Sequence, residues 1–136
     1  MKIHRGLKIL LISILAVGLI YYLFANKSKL HEAIDESNVE TIIIWDTMGR
    51  RIANSDEKQD IIRWFNSITN IRQNKEFAGT TPEAGIMIEL KTGNGIHILA
   101  SGKDFEVQRT NSSGKHISYW GQQSNIRDVL YFSQMK

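Results

Sequence analysis

"GIMIELKTGNGIHILASGKDFEVQRTNSSGKHISYW", residues 85–120, decides how this chain folds. Apolar and polar residues alternate through "GIMIELK", "GIHILAS", "FEVQR" and "HISYW", and turn-forming residues separate them. A period of two marks a half-buried strand, because successive side chains point to opposite faces. Residues paired across two strands share a face, so the inward residues constrain the register. With Ile86, Ile88, Leu90, Ile96, Ile98 and Ala100 inward, the first hairpin takes the loop "TGN", residues 92–94, and pairs Lys91 with Gly95. The second pairs Ala100 with Phe105 and Ile98 with Val107, leaving Gly102 and Lys103 as a two-residue loop. Glycine in the first loop position suits a type II′ turn, where φ is positive. The third sets Val107 opposite Tyr119 over the loop "NSSGK". Three separate turns agree on one inward face, so the stretch reads as an antiparallel meander.

Upstream, "VETIIIWD" is a β-branched run followed by the turn signal "DTMG", and "RRIA" reads as a short strand pairing back. In "NSDEKQDIIRWFNSITN", Asn54 and Glu57 resemble a capping box. Ile61, Ile62, Trp64, Phe65 and Ile68 recur at helical spacing. Asp56, Glu57 and Asp60 sit where a helix dipole favours acids. Trp45 and Trp64 are expected in the core. "IRQNKEFAGTTPEA" reads as a linker holding the single proline, Pro82. At the end, "SNIRDVLYFSQMK" reads as a short helix capped by Asn125 with Asp128, its apolar side made by Ile126, Val129, Leu130 and Met135. The order is β-(β)-α-β-β-β-β-α, an α+β domain with helices on one face of an antiparallel sheet.

The same register assigns the outer face. One row is Met87, Leu99, Glu106 and Trp120; another is Glu89, His97, Gln108 and Ser118. Met, Leu and Trp side chains on a solvent face mark a protein-binding surface, unless the stalk or the C-terminal helix covers them. A carboxylate can orient an imidazole, so Glu89 beside His97 is the one candidate for general-base or metal chemistry. One histidine with no nucleophile in reach falls short of a catalytic set. A favourable cross-strand pair on a wet face explains the two residues as well. No phosphate-loop or calcium-loop spacing occurs. The expectation is a non-enzymatic domain without metal or cofactor.

Ahead of the domain, "ILLISILAVGLIYYLFA", residues 9–25, carries no charge and shows no polar face. Its length is at the short end of a bilayer span. Tyr21 and Tyr22 at its far end, with Lys27 and Lys29 beyond, suit the membrane–water boundary. Lys2, Arg5 and Lys8 precede the run, which places the N-terminus in the cytoplasm and the domain outside the cell. Cleavage after Ala25 would put Leu23 where a signal peptidase prefers a small residue, so the segment reads as an uncleaved anchor. A pilin-like precursor needs Glu five residues after a processed Gly, and Leu11 stands there after Gly6. The chain divides into a basic flank (1–8), an anchor (9–25), a stalk or helix extension (26–38) and the α+β domain (39–136).

The net charge of +3 belongs to the flank. Without Lys2, Arg5 and Lys8, the 17 basic residues fall to 14, equal to the 14 acids. A neutral domain has no field for phosphate, which argues against nucleic acid. There is no cysteine, which excludes disulfides, thiolate chemistry and a lipid-modified cysteine anchor.

The whole resembles small membrane-anchored extracytoplasmic α+β proteins of Gram-positive bacteria, through "TIIIWDTMG", "SDEKQDIIRWF" and "GIMIELKTGNGIHI". The resemblance implies the architecture of an anchor, one strand, an amphipathic helix and a meander. The expected function is a single-pass, membrane-displayed domain that binds an envelope protein, in an immunity or accessory role. The alternatives are a cleaved, secreted protein and a hydrolase or metal-binding domain using Glu89 and His97.

Overall fold

The computed structural model describes residues 3–27, 30–74, 81–102 and 104–131; in the first span, side chains are described for residues 9–22. The helix α1 (Ile3–Lys27) comes first, and a 3-10 turn (Glu36–Asn38) leads into the sheet. There follow β1 (Val39–Asp46), β2 (Gly49–Ile52), α2 (Ser55–Asn66), β3 (Thr69–Gln73), β4 (Ala84–Leu90), β5 (Gly95–Ser101), β6 (Asp104–Thr110), β7 (His116–Gln122) and α3 (Ser124–Tyr131). The seven strands make one sheet in the order β2-β1-β4-β5-β6-β7-β3. Every pairing is antiparallel. The expected α+β class and antiparallel meander are present.

The inner face carries Ile42, Ile86, Ile88, Ile96, Ile98, Phe105, Val107 and Tyr119, all buried. α2 covers it with Ile61, Ile62 and Phe65, and α3 with Ile126 and Leu130. Each isoleucine removed from water contributes roughly 1.5–3 kcal/mol, so this layer carries most of the stability. Asn54 caps α2 through a capping box with Glu57. Glu57 also takes two 2.8 Å bonds from Arg51 of β2. Those bonds first, and the Asn54 backbone second, hold its carboxyl below the usual range. A bulge at Glu40 breaks the β1 register. The ammonium of Lys58 on α2 donates to the Val39 carbonyl there at 2.9 Å.

The hairpin registers divide. Ala100 faces Phe105, Ile98 faces Val107 and Val107 faces Tyr119, as expected. Gly102 has φ +61, as the first loop position requires, while Lys103 lies outside the described residues. The first hairpin is displaced by two residues: Ile88 faces Ile96 and Glu89 faces Gly95. Its loop is Lys91-Thr92-Gly93, closed by Gly93 N–H donating to the Leu90 carbonyl at 2.9 Å, with Gly93 at φ +87. A three-residue hairpin places its left-handed residue last, and glycine fills that place.

Four other expectations change. The first three residues of the linker, 71–73, belong to β3, a polar strand begun at Thr69 that closes the sheet beside β7. It has one apolar residue, Ile71, so no alternation announces it; its backbone bonds to β7 make the strand. The cap of α3 is Gln123, whose side chain accepts from the Ile126 N–H at 2.9 Å, in place of Asn125 and Asp128. Met135 lies outside the described residues. Trp45 lies over Gly85 on the outer face, outside the buried core: a Cβ on Gly85 would come 2.5 Å from its ring. Residues 30–35 are no free stalk. They lie against the domain, with Ile34 buried and its backbone held by both ends of the Asn66 amide.

On α1, each described residue from 9 to 22 is exposed, with Ile, Leu and Val on every side. Among the described residues no helix is long and apolar enough to cross a membrane. The described side chains form a run shorter than the ~20 residues a span needs. The expected anchor over residues 9–25 is therefore not established by these residues.

Candidate functional site

Both helices pack on the inner face, which leaves the other face of the sheet uncovered by α3 or by residues 30–35. Strand pairing sets two long rows across it. One runs Ile52, Ile43, Met87, His97, Gln108, Ser118. The other runs Arg50, Trp45, Gly85, Leu99, Glu106, Trp120, Arg72. The rows differ along their length in one respect: apolar residues gather at the β2-β1-β4-β5 end and polar ones at the β6-β7-β3 end.

At the polar end the groups hold one another. Glu106 accepts from Asn74 Nδ2 at 3.1 Å, from Gln108 Nε2 at 3.2 Å and from the Ser118 hydroxyl. Asp104 accepts from Arg72 at 2.7 Å and from Gln122 at 2.9 Å. A carboxylate met by several donors is a structural tie and has little left for a substrate. Trp120 stands within this polar half, separated from Leu99 by Glu106.

At the apolar end, Ile52, Ile43, Trp45, Met87 and Leu99 adjoin one another. Ile52 is 71% exposed, and Met48 in the adjacent turn is 75% exposed. Beside them, a cleft of about 440 Å³ opens between the end of β1 and the two helices, lined in part by Trp45, Met48, Trp64, Asp128 and Val129. That size falls within the range that seats a small molecule or a partner's anchoring side chain.

The expected residues are thus redistributed. Met87 adjoins His97 in place of Leu99. Leu99, Glu106 and Trp120 do share a row. Glu89 and His97 are not a facing pair: Glu89 faces Gly95, and the imidazole leans over that glycine. No hydrogen bond or ion pair joins them. Among the described residues no three metal-ligating side chains gather. Tyr21 and Tyr22 are exposed on α1, the side chain of Lys27 is not described, and Lys29 lies outside the described residues.

No family model matches this chain, and no curated protein or solved structure does either. The site therefore rests on its own geometry.

Ile43, Trp45 and Ile52 escaped the sequence reading. In "TIIIWD" both faces of the strand are apolar, so alternation does not separate inward from outward. The signal was "AGI": a glycine opposite an aromatic residue marks a ring lying flat on the neighbouring strand.

Proposed function

We propose that this chain is a single-pass membrane protein displaying its sheet domain outside the cell. The domain binds an envelope protein through the apolar half of the open face, in an immunity or accessory role. One observation carries the reading: Ile52, Ile43, Trp45, Met87 and Leu99 adjoin on a face that neither helix covers. Contiguous apolar surface of this kind marks interaction sites on soluble domains. The partner it fits presents an apolar patch of its own and an anchoring side chain for the neighbouring cleft.

The tether rests on α1. A helix that is apolar on all sides needs an apolar surrounding. The basic flank before residues 9–25 and the paired tyrosines within them support a bilayer as that surrounding.

The test is crosslinking of the full chain in its native membrane, wild type beside Leu99→Lys, with mass spectrometry of what co-purifies. Loss of one specific crosslinked protein by about tenfold or more is expected for a charge placed within the contact. Equal recovery from both chains removes the face from the reading. A mature N-terminus near Asn26 in the same sample removes the tether and leaves a secreted protein.

A further inference from the structure

Residues 30–35 cross the inner side of the domain at the β6–β7 end, and the groups that hold them are polar and largely buried. His31 Nδ1 and the Tyr119 hydroxyl of β7 share a hydrogen bond of 2.7 Å. The imidazole packs on the Phe65 ring of α2, centroids 4.8 Å apart. Arg109 of β6 is 6% exposed and donates to the Glu32 carbonyl at 2.6 Å. Its guanidinium stands 3.6 Å from the Glu32 carboxylate, which also accepts from the Ser112 hydroxyl at 2.8 Å. His31 Nε2 and Arg109 Nε are buried without a hydrogen-bond partner.

We propose that residues 30–35 are a latch that protonation of His31 loosens, lengthening the tether between α1 and the sheet domain. The inference stands on the contacts of residues 30–35 and holds whether or not α1 lies in a membrane.

The charges around the imidazole decide the sign. β6 presents the Arg109 cation, and β7 presents the Tyr119 hydroxyl, which burial pushes up to about 12 and so keeps neutral. α2 presents the Phe65 ring and backbone carbonyl; the carbonyl favours a proton on the ring but is not a hydrogen-bond partner of Nε2. The strap itself presents Glu32, already paired with Arg109. Burial first, and Arg109 second, hold His31 below its ordinary 6.5. The docked strap therefore binds the proton more weakly than the free strap does. Docking is fully favourable above pH 6.5 and weakens as pH falls below it. Ile34 and the Asn66 bonds persist in acid, so protonation shifts a population and does not empty the docked state. Each opening frees six residues, with a reach of about 20 Å.

The Ile34 N–H reports the latch, because it donates to Asn66 Oδ1 at 2.8 Å only when the strap is docked. The experiment measures its hydrogen-exchange protection in the full chain in detergent micelles. Protection is corrected for intrinsic exchange between pH 7.5 and 5.5, with Ile98 as the core reference. Wild-type protection at Ile34 is expected to fall several-fold while Ile98 holds, and in His31→Gln the Ile34 fall is expected to vanish. An NMR titration of the His31 ring in the wild type must share its midpoint with the loss at Ile34, a condition that stands even if His31→Gln docks poorly. Unchanged protection at pH 5.5, an equally steep fall in a docked His31→Gln, or separate midpoints would overturn the latch.

Discussion

The two faces of the sheet are cut from the same strands, yet they have different fates. Between them, β4 and β5 send Ile86, Ile88, Ile96 and Ile98 inward and Met87, His97 and Leu99 outward. The inward set is sealed by α2 and α3. The outward set includes equally apolar residues, and among the described residues neither α2 nor α3 lies over it. Alternation alone therefore does not make a core; a second layer does. What distinguishes the faces is whether a side chain has neighbours above it, and substitutions can measure that directly.

The largest expected effect lies on the sealed side. Phe105→Ala removes a fully buried ring and leaves a cavity that packed neighbours fill only in part. Urea unfolding should show a loss of about 3–5 kcal/mol. Met87→Ala in the same assay should cost clearly less, about 1 kcal/mol, because the Met87 side chain is only partly buried and has less packing to give up. A loss at Met87 matching that at Phe105 would mean that a layer covers the open face.

Two glycines put the same contrast into one atom. A Cβ on Gly121 would meet Ile68 Cγ2 at 2.5 Å and Phe105 at 3.4 Å, both locked in the core. A Cβ on Gly85 would meet the Trp45 ring first, also at 2.5 Å. The clash is the same, but the Trp45 ring can swing outward and Ile68 cannot. Gly121→Ala should cost about 1–3 kcal/mol. Gly85→Ala should cost within about 1 kcal/mol and shift Trp45 emission to the red as the ring enters water. No emission change in Gly85→Ala would show that the ring is pinned and the face less open than its rows imply.

These contrasts also explain what could be read from the sequence. Parity identified the inward residues of β4 to β7, and Gly102 placed the second turn, because each rests on local geometry. Parity is blind to a shift of two residues. The first hairpin keeps the same inward face in either register, and only Gly93, as the last residue of a three-residue loop, separates them. The facing Glu89–His97 pair disappeared with that shift. Residues 30–35 were beyond local rules altogether, since their partners Tyr119 and Arg109 lie 77 to 88 residues away. One signal was present: in "FEVQR", Arg109 falls on the inward face with Phe105 and Val107. A cation placed there requires an acceptor from elsewhere in the chain.

The smallest expected effect is the most informative about the open face. Leu99→Lys introduces a charge on β5 at the inner border of the apolar half, between Gly85 and Glu106. If water already reaches that position, the ammonium keeps its hydration, and its stem covers the area the leucine covered. Urea unfolding should then change by no more than about 0.5 kcal/mol in either direction. Were Leu99 buried under an unrecognised layer, an unpaired ammonium would cost several kcal/mol, and the variant would unfold early or fail to fold. A neutral result also makes the crosslinking comparison interpretable. Loss of a crosslinked partner in a chain of unchanged stability can only come from the face itself.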